Sequence, residues 1–360
     1  MSPPEEAPAN PPTKAEINDL KRLAAGIITD QGNRFIKELL RDKKIRIGDT
    51  KEDFRANLDG AIESGKLRMD DVKEWLDRVE GWGNQHVYLY NISPALRKVL
   101  TGPKVVASIQ ANPKLRKVWN ADRVQVFPDE PTLASVSFDD FVLRLVWQEA
   151  SPGWTREKDK DREEQRGLDT YWFEAYRKLE HRAVTRFEVH LKKGLAGLFI
   201  PGPVEDDEHR RAIEEAKSVV NLLLDFEALE EGQLDLGVVS RNFDQQNLPN
   251  NVQPNPSVRT SRSRLTSGDA YVEFASSASG RAFWEENAVL EVRNAVRREQ
   301  LSHFRGTEGV FLFESNPDEA KARRLLRVQL YAADNRIRFW AQMKAGEVWT
   351  ILTAISGAQA

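Results

Sequence analysis

The chain has 360 residues, with 53 Lys+Arg against 56 Asp+Glu, a formal net charge of -3 and 40% hydrophobic residues. That length allows two or three domains, each with its own core, and the near balance of charge excludes a global field drawing the molecule onto nucleic acid or membrane, leaving only local patches. With Cys 0, disulfides, thiolate nucleophiles, iron–sulfur clusters and cysteine-held zinc are excluded together.

Residues 1–12 are rich in Pro, Ala and Glu and predict a disordered tail, without the basic-then-apolar order of a signal peptide. A helical bundle is expected over 13–127. Ile17, Leu20, Leu23, Ala24 and Ile27 recur at helical spacing behind Thr13, with Glu16 completing a capping box. Phe35, Ile36, Leu39 and Leu40 make a second helix. Thr50 opens a third that carries Phe54, Leu58, Ala61 and Ile62 to a stop at Gly65, and Met69, Val72, Trp75, Leu76 and Val79 form a fourth. The bundle is extended through Leu96 to Trp119.

Near Pro128 to Pro131 the pattern changes to period two, so 128–241 reads as an antiparallel sheet followed by a long helix. Val136-Ser137-Phe138 and Phe141 to Trp147 flank an acidic turn at Asp139-Asp140. The polar run Trp154 to Gly167 reads as a solvated loop or exposed helix, Thr170 to Phe173 and Val184 to Leu191 as further strands of the same sheet, and Gly194 to Ile200 as one more. Asp206 to Leu229 carries a single apolar stripe behind acidic residues, which suit a helix N-terminus. Residues 242–268, dense in Asn, Pro, Gln and Ser, read as a linker. A second unit at 269–360 repeats the theme: strands at Tyr271 to Phe274, Gly309 to Phe313, Leu326 to Ala332 and Arg336 to Ala341, and helices at Gly280 to Arg298 and Ala345 to Ile355. The fold class is therefore α+β: an N-terminal helical bundle, then antiparallel curved sheet with helices packed on one face. The recurrence points to a pseudo-repeat whose halves would join edge to edge.

No Gly-rich phosphate loop, dinucleotide fingerprint, paired-His zinc motif or nucleophile elbow is present. His86, His181, His190, His209 and His303 include no pair at helical ligand spacing. His209 follows Glu205-Asp206-Asp207-Glu208, but carboxylates opening a helix already have a sufficient reason to be there, so no metal and no cofactor is expected. Asp169 with Glu188-Val189-His190 has the order of a metal-dependent nuclease, with His where Lys belongs, and Pro317 to Lys321 reads as a helix start. A divergent nuclease is the alternative, not the expectation.

Basic clusters recur. Arg41, Lys43, Lys44 and Arg46, with Lys51, fall at a helix end and loop of the bundle, and Arg259, Arg262 and Arg264 sit on the linker among Ser and Thr. Arg293, Arg297 and Arg298, then Arg323, Arg324 and Arg327, follow. Neutralising several phosphates is all that nonspecific nucleic-acid affinity requires, so the first eight are the expected contacts. Trp75, Trp147, Trp172, Trp284 and Trp340 fall on apolar faces and read as core. The function expected is a non-catalytic scaffold that binds nucleic acid, duplex DNA without sequence preference, and a protein partner or a second copy through a sheet edge. A purely protein-binding subunit is the other alternative. No apolar run approaches the roughly 18 to 20 residues of a membrane span, so a cytoplasmic or nuclear location without a membrane partner is expected.

The helices from Phe35 to Val79, the strand Phe141 to Trp147, a charged loop and the strand Thr170 to Phe173 together resemble centromere protein N of the kinetochore, which pairs a pyrin-like bundle with a curved sheet domain. The resemblance implies a DNA- and protein-binding module, with Lys43, Lys44 and Arg46 on the basic face of the bundle and the sheet as a dimerisation platform. The long polar segment and the second sheet-plus-helix half depart from it.

Overall fold

A computed structural model describes residues 13–100, 102–121, 128–139, 141–202, 206–246, 258–267, 270–276, 305–314 and 324–359, with short helical pieces between 288 and 295. The chain divides into two compact units, one drawn from Met1–Glu80, Val124–Thr132 and Gln148–Ala183, the other from Gly81–Arg123, Leu133–Trp147 and Val184–Ala360.

In the first unit the four expected helices are α1 (Lys14–Asp30), α2 (Asn33–Asp42), α3 (Lys51–Glu63) and α4 (Met69–Val79). The Thr13 hydroxyl accepts the Glu16 N–H while the Glu16 carboxylate takes the Thr13 N–H, and Thr50 and Asp53 do the same for α3. Gly65 follows α3 at φ 70, a left-handed position where a Cβ is strained. The apolar stripes converge on one core that includes Leu23, Phe35, Leu39, Phe54, Leu58 and Trp75, each such burial worth about 1.5–3 kcal/mol. The same unit holds a two-stranded ribbon, β4 (Arg162–Arg166) and β5 (Asp169–Phe173). Thr170 to Phe173 belongs to this ribbon and not to the large sheet, and the polar run before it contains a strand. Four of the five β4 residues are exposed, so no buried face imposed an apolar alternation.

The second unit holds most of a ten-stranded sheet, ordered β2-β3-β6-β7-β1-β12-β11-β10-β8-β9. Its strands are β1 (Gln85–Asn91), β2 (Thr132–Asp139), β3 (Val142–Arg156), β6 (Tyr176–His190), β7 (Leu195–Pro201), β8 (Val258–Ser267), β9 (Ala270–Ala275), β10 (Arg305–Glu314), β11 (Leu325–Tyr331) and β12 (Arg336–Phe339). The two expected halves do form one sheet, joined by β1, which pairs antiparallel with β7 on one side and β12 on the other. That strand lies within the stretch 13–127 expected to be helical throughout. Six of its seven residues are buried, among them the polar Gln85 and His86, so both faces are covered and no polar–apolar alternation marks it.

The β1 side chains serve two cores. Tyr88 and Tyr90 pack with Leu145, Phe187 and Leu198 and with α5 (Pro94–Val99), α6 (Gly102–Ala111), α7 (Pro113–Lys117), α8 (Asp206–Val220) and α9 (Phe226–Glu230). Val87 and Leu89 pack with Phe199, Phe311 and Ile337 and with α10 (Leu236–Gln246) and α11 (Ala345–Gly357). Successive residues of a strand point to opposite faces, so helices cover both faces of the sheet and not one. A central strand that is apolar on both sides requires cover on both.

The stretch Asp206 to Leu229 is two helices, because Asp225 starts α9 by accepting the Glu227 and Ala228 N–H groups. The linker 242–268 ends one helix and contains β8, while 247–257 lie outside the described residues, as do the tail 1–12 and most of the helix expected at Gly280 to Arg298. No described helix is long and apolar enough to cross a membrane.

Candidate nucleic-acid interface

The first basic cluster is shaped by the end of α2. Lys44 adopts a left-handed backbone at φ 53, its N–H bonds to the Arg41 carbonyl at 3.0 Å, and the Ile45 N–H bonds back to Leu40 at 2.7 Å. Ile45 is thereby buried, while Arg41, Lys44 and Arg46 on either side of it face solvent. The exposed Lys66 joins them, its Nζ donating to the Lys44 carbonyl at 2.6 Å. Lys43 and Lys51 are engaged internally: Lys43 donates to Asp71, and Lys51 to the Thr29 carbonyl at 2.9 Å.

Each nearby carboxylate is also committed elsewhere. Asp42 faces Arg78 at 3.7 Å and Asp49 faces Lys37 at 3.8 Å. Asp53 accepts the Thr50 and Asp49 N–H groups, which, with a smaller pull from the Arg46 charge, hold its carboxyl below the usual range. Burial works against the Asp71 charge, but Lys43 and the Arg68 N–H outweigh it and keep that carboxyl low too. Among the described residues, Arg41, Lys44, Arg46 and Lys66 are left without a carboxylate at ion-pair distance. Arg41, Lys44 and Arg46 on one turn, with Lys66 held beside them by the Lys44 carbonyl, can meet successive phosphates as point charges, and Arg41 and Arg46 can bind bidentately.

The second cluster is different in kind. Arg259, Arg262 and Arg264 do not lie on a flexible linker but on β8, an interior strand of the sheet. Arg259 donates to Glu314 at 3.0 Å, Arg262 to Glu273 at 2.8 Å, and Arg264 pairs with Glu273 and Glu308 at 3.1 and 3.4 Å. The Arg262 hydrogen bond and both neighbouring positive charges hold the Glu273 carboxyl below its ordinary range. These arginines are answered by acids on β9 and β10. The structure therefore assigns the eight expected contacts to two places in two units, and the β8 group is charge-neutral locally.

The same face of the sheet carries an arrangement that the sequence reading missed. The Arg338 guanidinium lies 3.6 Å from the Trp340 ring centre and Arg327 lies 5.3 Å from it, and the indole N–H donates to Gln329 at 3.1 Å. Trp340 is 40% exposed and Trp172 63%, so neither is a core residue, whereas Trp75 and Trp147 are. Arg324 donates to the Gln342 carbonyl at 2.5 Å. Arg293, Arg297, Arg298, Arg323 and Trp284 lie outside the described residues, as does Pro317 to Lys321.

A buried polar constellation surrounds Glu188 on β6. Its carboxylate accepts Trp349 Nε1–H at 3.0 Å, lies 3.1 Å from His190 Nε2, and faces Arg186 at 3.4 Å and Arg144 at 3.6 Å. Arg186 in turn lies over Trp82, 3.4 Å from its ring centre, and donates to the Gly81 carbonyl at 2.7 Å. Burial raises the Glu188 carboxyl, but the His190 hydrogen bond and the two arginines outweigh it and leave it below the ordinary carboxylate range. Both oxygens are occupied, so the group acts as an internal tie. Asp169, its expected companion in a nuclease, stands exposed on β5 in the other unit. His209 is buried on α8, 4.6 Å ring to ring from His86. Among the described residues no three His, Asp or Glu side chains converge as metal ligands.

No family model matches the chain, and no curated protein matches it.

Proposed function

We propose that the chain is a nucleic-acid-binding scaffold that holds the phosphate backbone through the turn between α2 and α3, on duplex DNA without sequence preference. The supporting observation is the surplus of Arg41, Lys44, Arg46 and Lys66, beside four carboxylates that are each engaged elsewhere. An exposed cation gains little from a partner in water, but it releases condensed counterions when it meets a phosphate. The bundle-then-sheet order resembling centromere protein N implies the same use of this face. The β8 arginines are withdrawn from the contact set, because displacing Glu273, Glu308 and Glu314 would leave those acids facing the phosphates.

Fluorescence anisotropy of labelled duplex DNA over a salt series tests the reading. Four phosphate contacts give a slope of log K against log salt of about -3 to -4. Absence of binding at low salt, or a slope near zero, ends the proposal. A second reading, a protein-docking subunit, is favoured by the exposed aromatics of the β4–β5 ribbon.

A further inference from the structure

The β4–β5 ribbon is a built feature. Arg166 and Asp169 pair across a two-residue turn whose Gly167 takes φ 65, the left-handed conformation such turns require. Its base is clamped: Arg156 binds both oxygens of Asp161, whose Oδ1 accepts the Ala175 N–H at 2.9 Å. Beyond the clamp, Leu168 at the tip is 101% exposed, Trp172 63% and Tyr171 44%. Arginines lie on the aromatic rings, Arg162 5.1 Å from the centre of Phe173 and Arg166 5.5 Å from both Tyr171 and Phe173.

The two ribbon edges differ. On β4, Arg162, Glu163, Glu164 and Arg166 put charge at four of five positions, a pattern that blunts an edge. On β5, Asp-Thr-Tyr-Trp-Phe is aromatic, β-prone and unbroken by Pro, Lys or a bulge. Among the described residues β5 pairs with β4 alone. The β2 edge of the large sheet, by contrast, carries a parallel bridge at its centre, with backbone bonds from Val136 to Val118 and from Asn120 to Val136.

We infer that β5 is a self-association edge, pairing antiparallel with β5 of a second copy about a two-fold axis at Tyr171, to give a four-stranded sheet across two molecules. Charge complementarity selects that occupant. Symmetry about Tyr171 sets Thr170 against Trp172 of the second copy and Asp169 against Phe173 of the second copy. Phe173 carries the Arg162 and Arg166 guanidinium groups on its ring, so each Asp169 carboxylate meets the other copy's cations and no like charges oppose. Asp169 has no ion-pair partner among the described residues, and Trp172 gains cover on its open face. The interface is isologous and closes on itself. A five-residue edge falls below the roughly 1,200 Å² of standard interfaces, so the dimer is weak.

Sedimentation velocity of the full chain, from about 1 to about 200 μM, spans the affinities of small interfaces. The expected result is a concentration-dependent monomer–dimer equilibrium. Trp172→Glu and Asp169→Arg, both at exposed side chains, are each expected to weaken it at least about tenfold, with an unchanged far-UV circular dichroism spectrum. Arg41→Glu leaves it unchanged, which separates this inference from the phosphate reading. A chain that stays monomeric over the whole range, or a dimer that both ribbon substitutions leave intact, overturns it.

Discussion

Glu188 and His86 show how differently one sheet treats two buried titratable side chains. Removing the Glu188 charge while keeping its shape, as Glu188→Gln does, leaves Arg186 and Arg144 without their shared counter-ion; the expected loss is about 3–5 kcal/mol in urea unfolding at neutral pH, as for one partner removed from a buried ion pair. Because its folded pKa is depressed, its contribution is present above the unfolded value near 4.3 and declines as pH falls through the lower folded one. The His86 imidazole is the opposite case. Burial, with the charges of His209, Arg336 and Arg338, pushes it down to about 3, so it stays neutral in the fold while the unfolded chain takes up its proton. Stability from this group is complete above about pH 6.5 and falls by at most about 1.4 kcal/mol per pH unit toward pH 3. Urea midpoints at pH 7 and pH 5 in wild type and His86→Gln check this: the variant is expected to show the smaller difference.

At the scale of single elements, the α2–α3 turn and β8 make opposite predictions from similar residues. The combined variant Arg41→Glu, Lys44→Glu, Arg46→Glu is expected to lower DNA affinity at least about tenfold at low salt and to shift the salt slope toward zero by about three. Arg262→Ala is expected to leave affinity and slope unchanged, and to cost about 0.5–1 kcal/mol of stability for its half-exposed pair with Glu273. The contrast explains what was legible beforehand. The first four helices were readable because each presents apolar residues every three to four positions to one core. In β8 the inward positions include Thr260 and Ser263, fully buried but polar, with Ser263 Oγ donating to Asp244 at 2.8 Å; a hydrophobic pattern cannot report such a strand. The acids that answer its arginines come from other strands, up to 55 residues away, so local spacing made Arg259, Arg262 and Arg264 look free. The cluster Arg41, Lys43, Lys44, Arg46 and Lys51 was visible in the sequence, but that Lys43 and Lys51 are engaged internally and that Lys66 joins the others required the fold.

At the scale of the whole molecule, the helical bundle is self-contained: every side chain in its core lies between Ile17 and Val79. A fragment spanning 13–80 is therefore expected to fold alone, with helical circular dichroism and one cooperative urea transition, though a domain that small is only marginally stable. It is also expected to keep the salt-dependent DNA affinity of the full chain. A fragment that is folded yet indifferent to DNA would move the phosphate contacts to other residues.

The large sheet has the reverse property, and β1 sets it. This strand leaves the ribosome before both of its neighbours, since β7 and β12 begin only at Leu195 and Arg336. During synthesis its side chains must wait for β7 before one flank can be zipped and for β12 before the other. Such long-separation pairing is slow and leaves the nascent chain open to sticking. Translation halted before Arg336 should thus yield a product that holdase chaperones retain, and one that reaches past Phe339 should be let go.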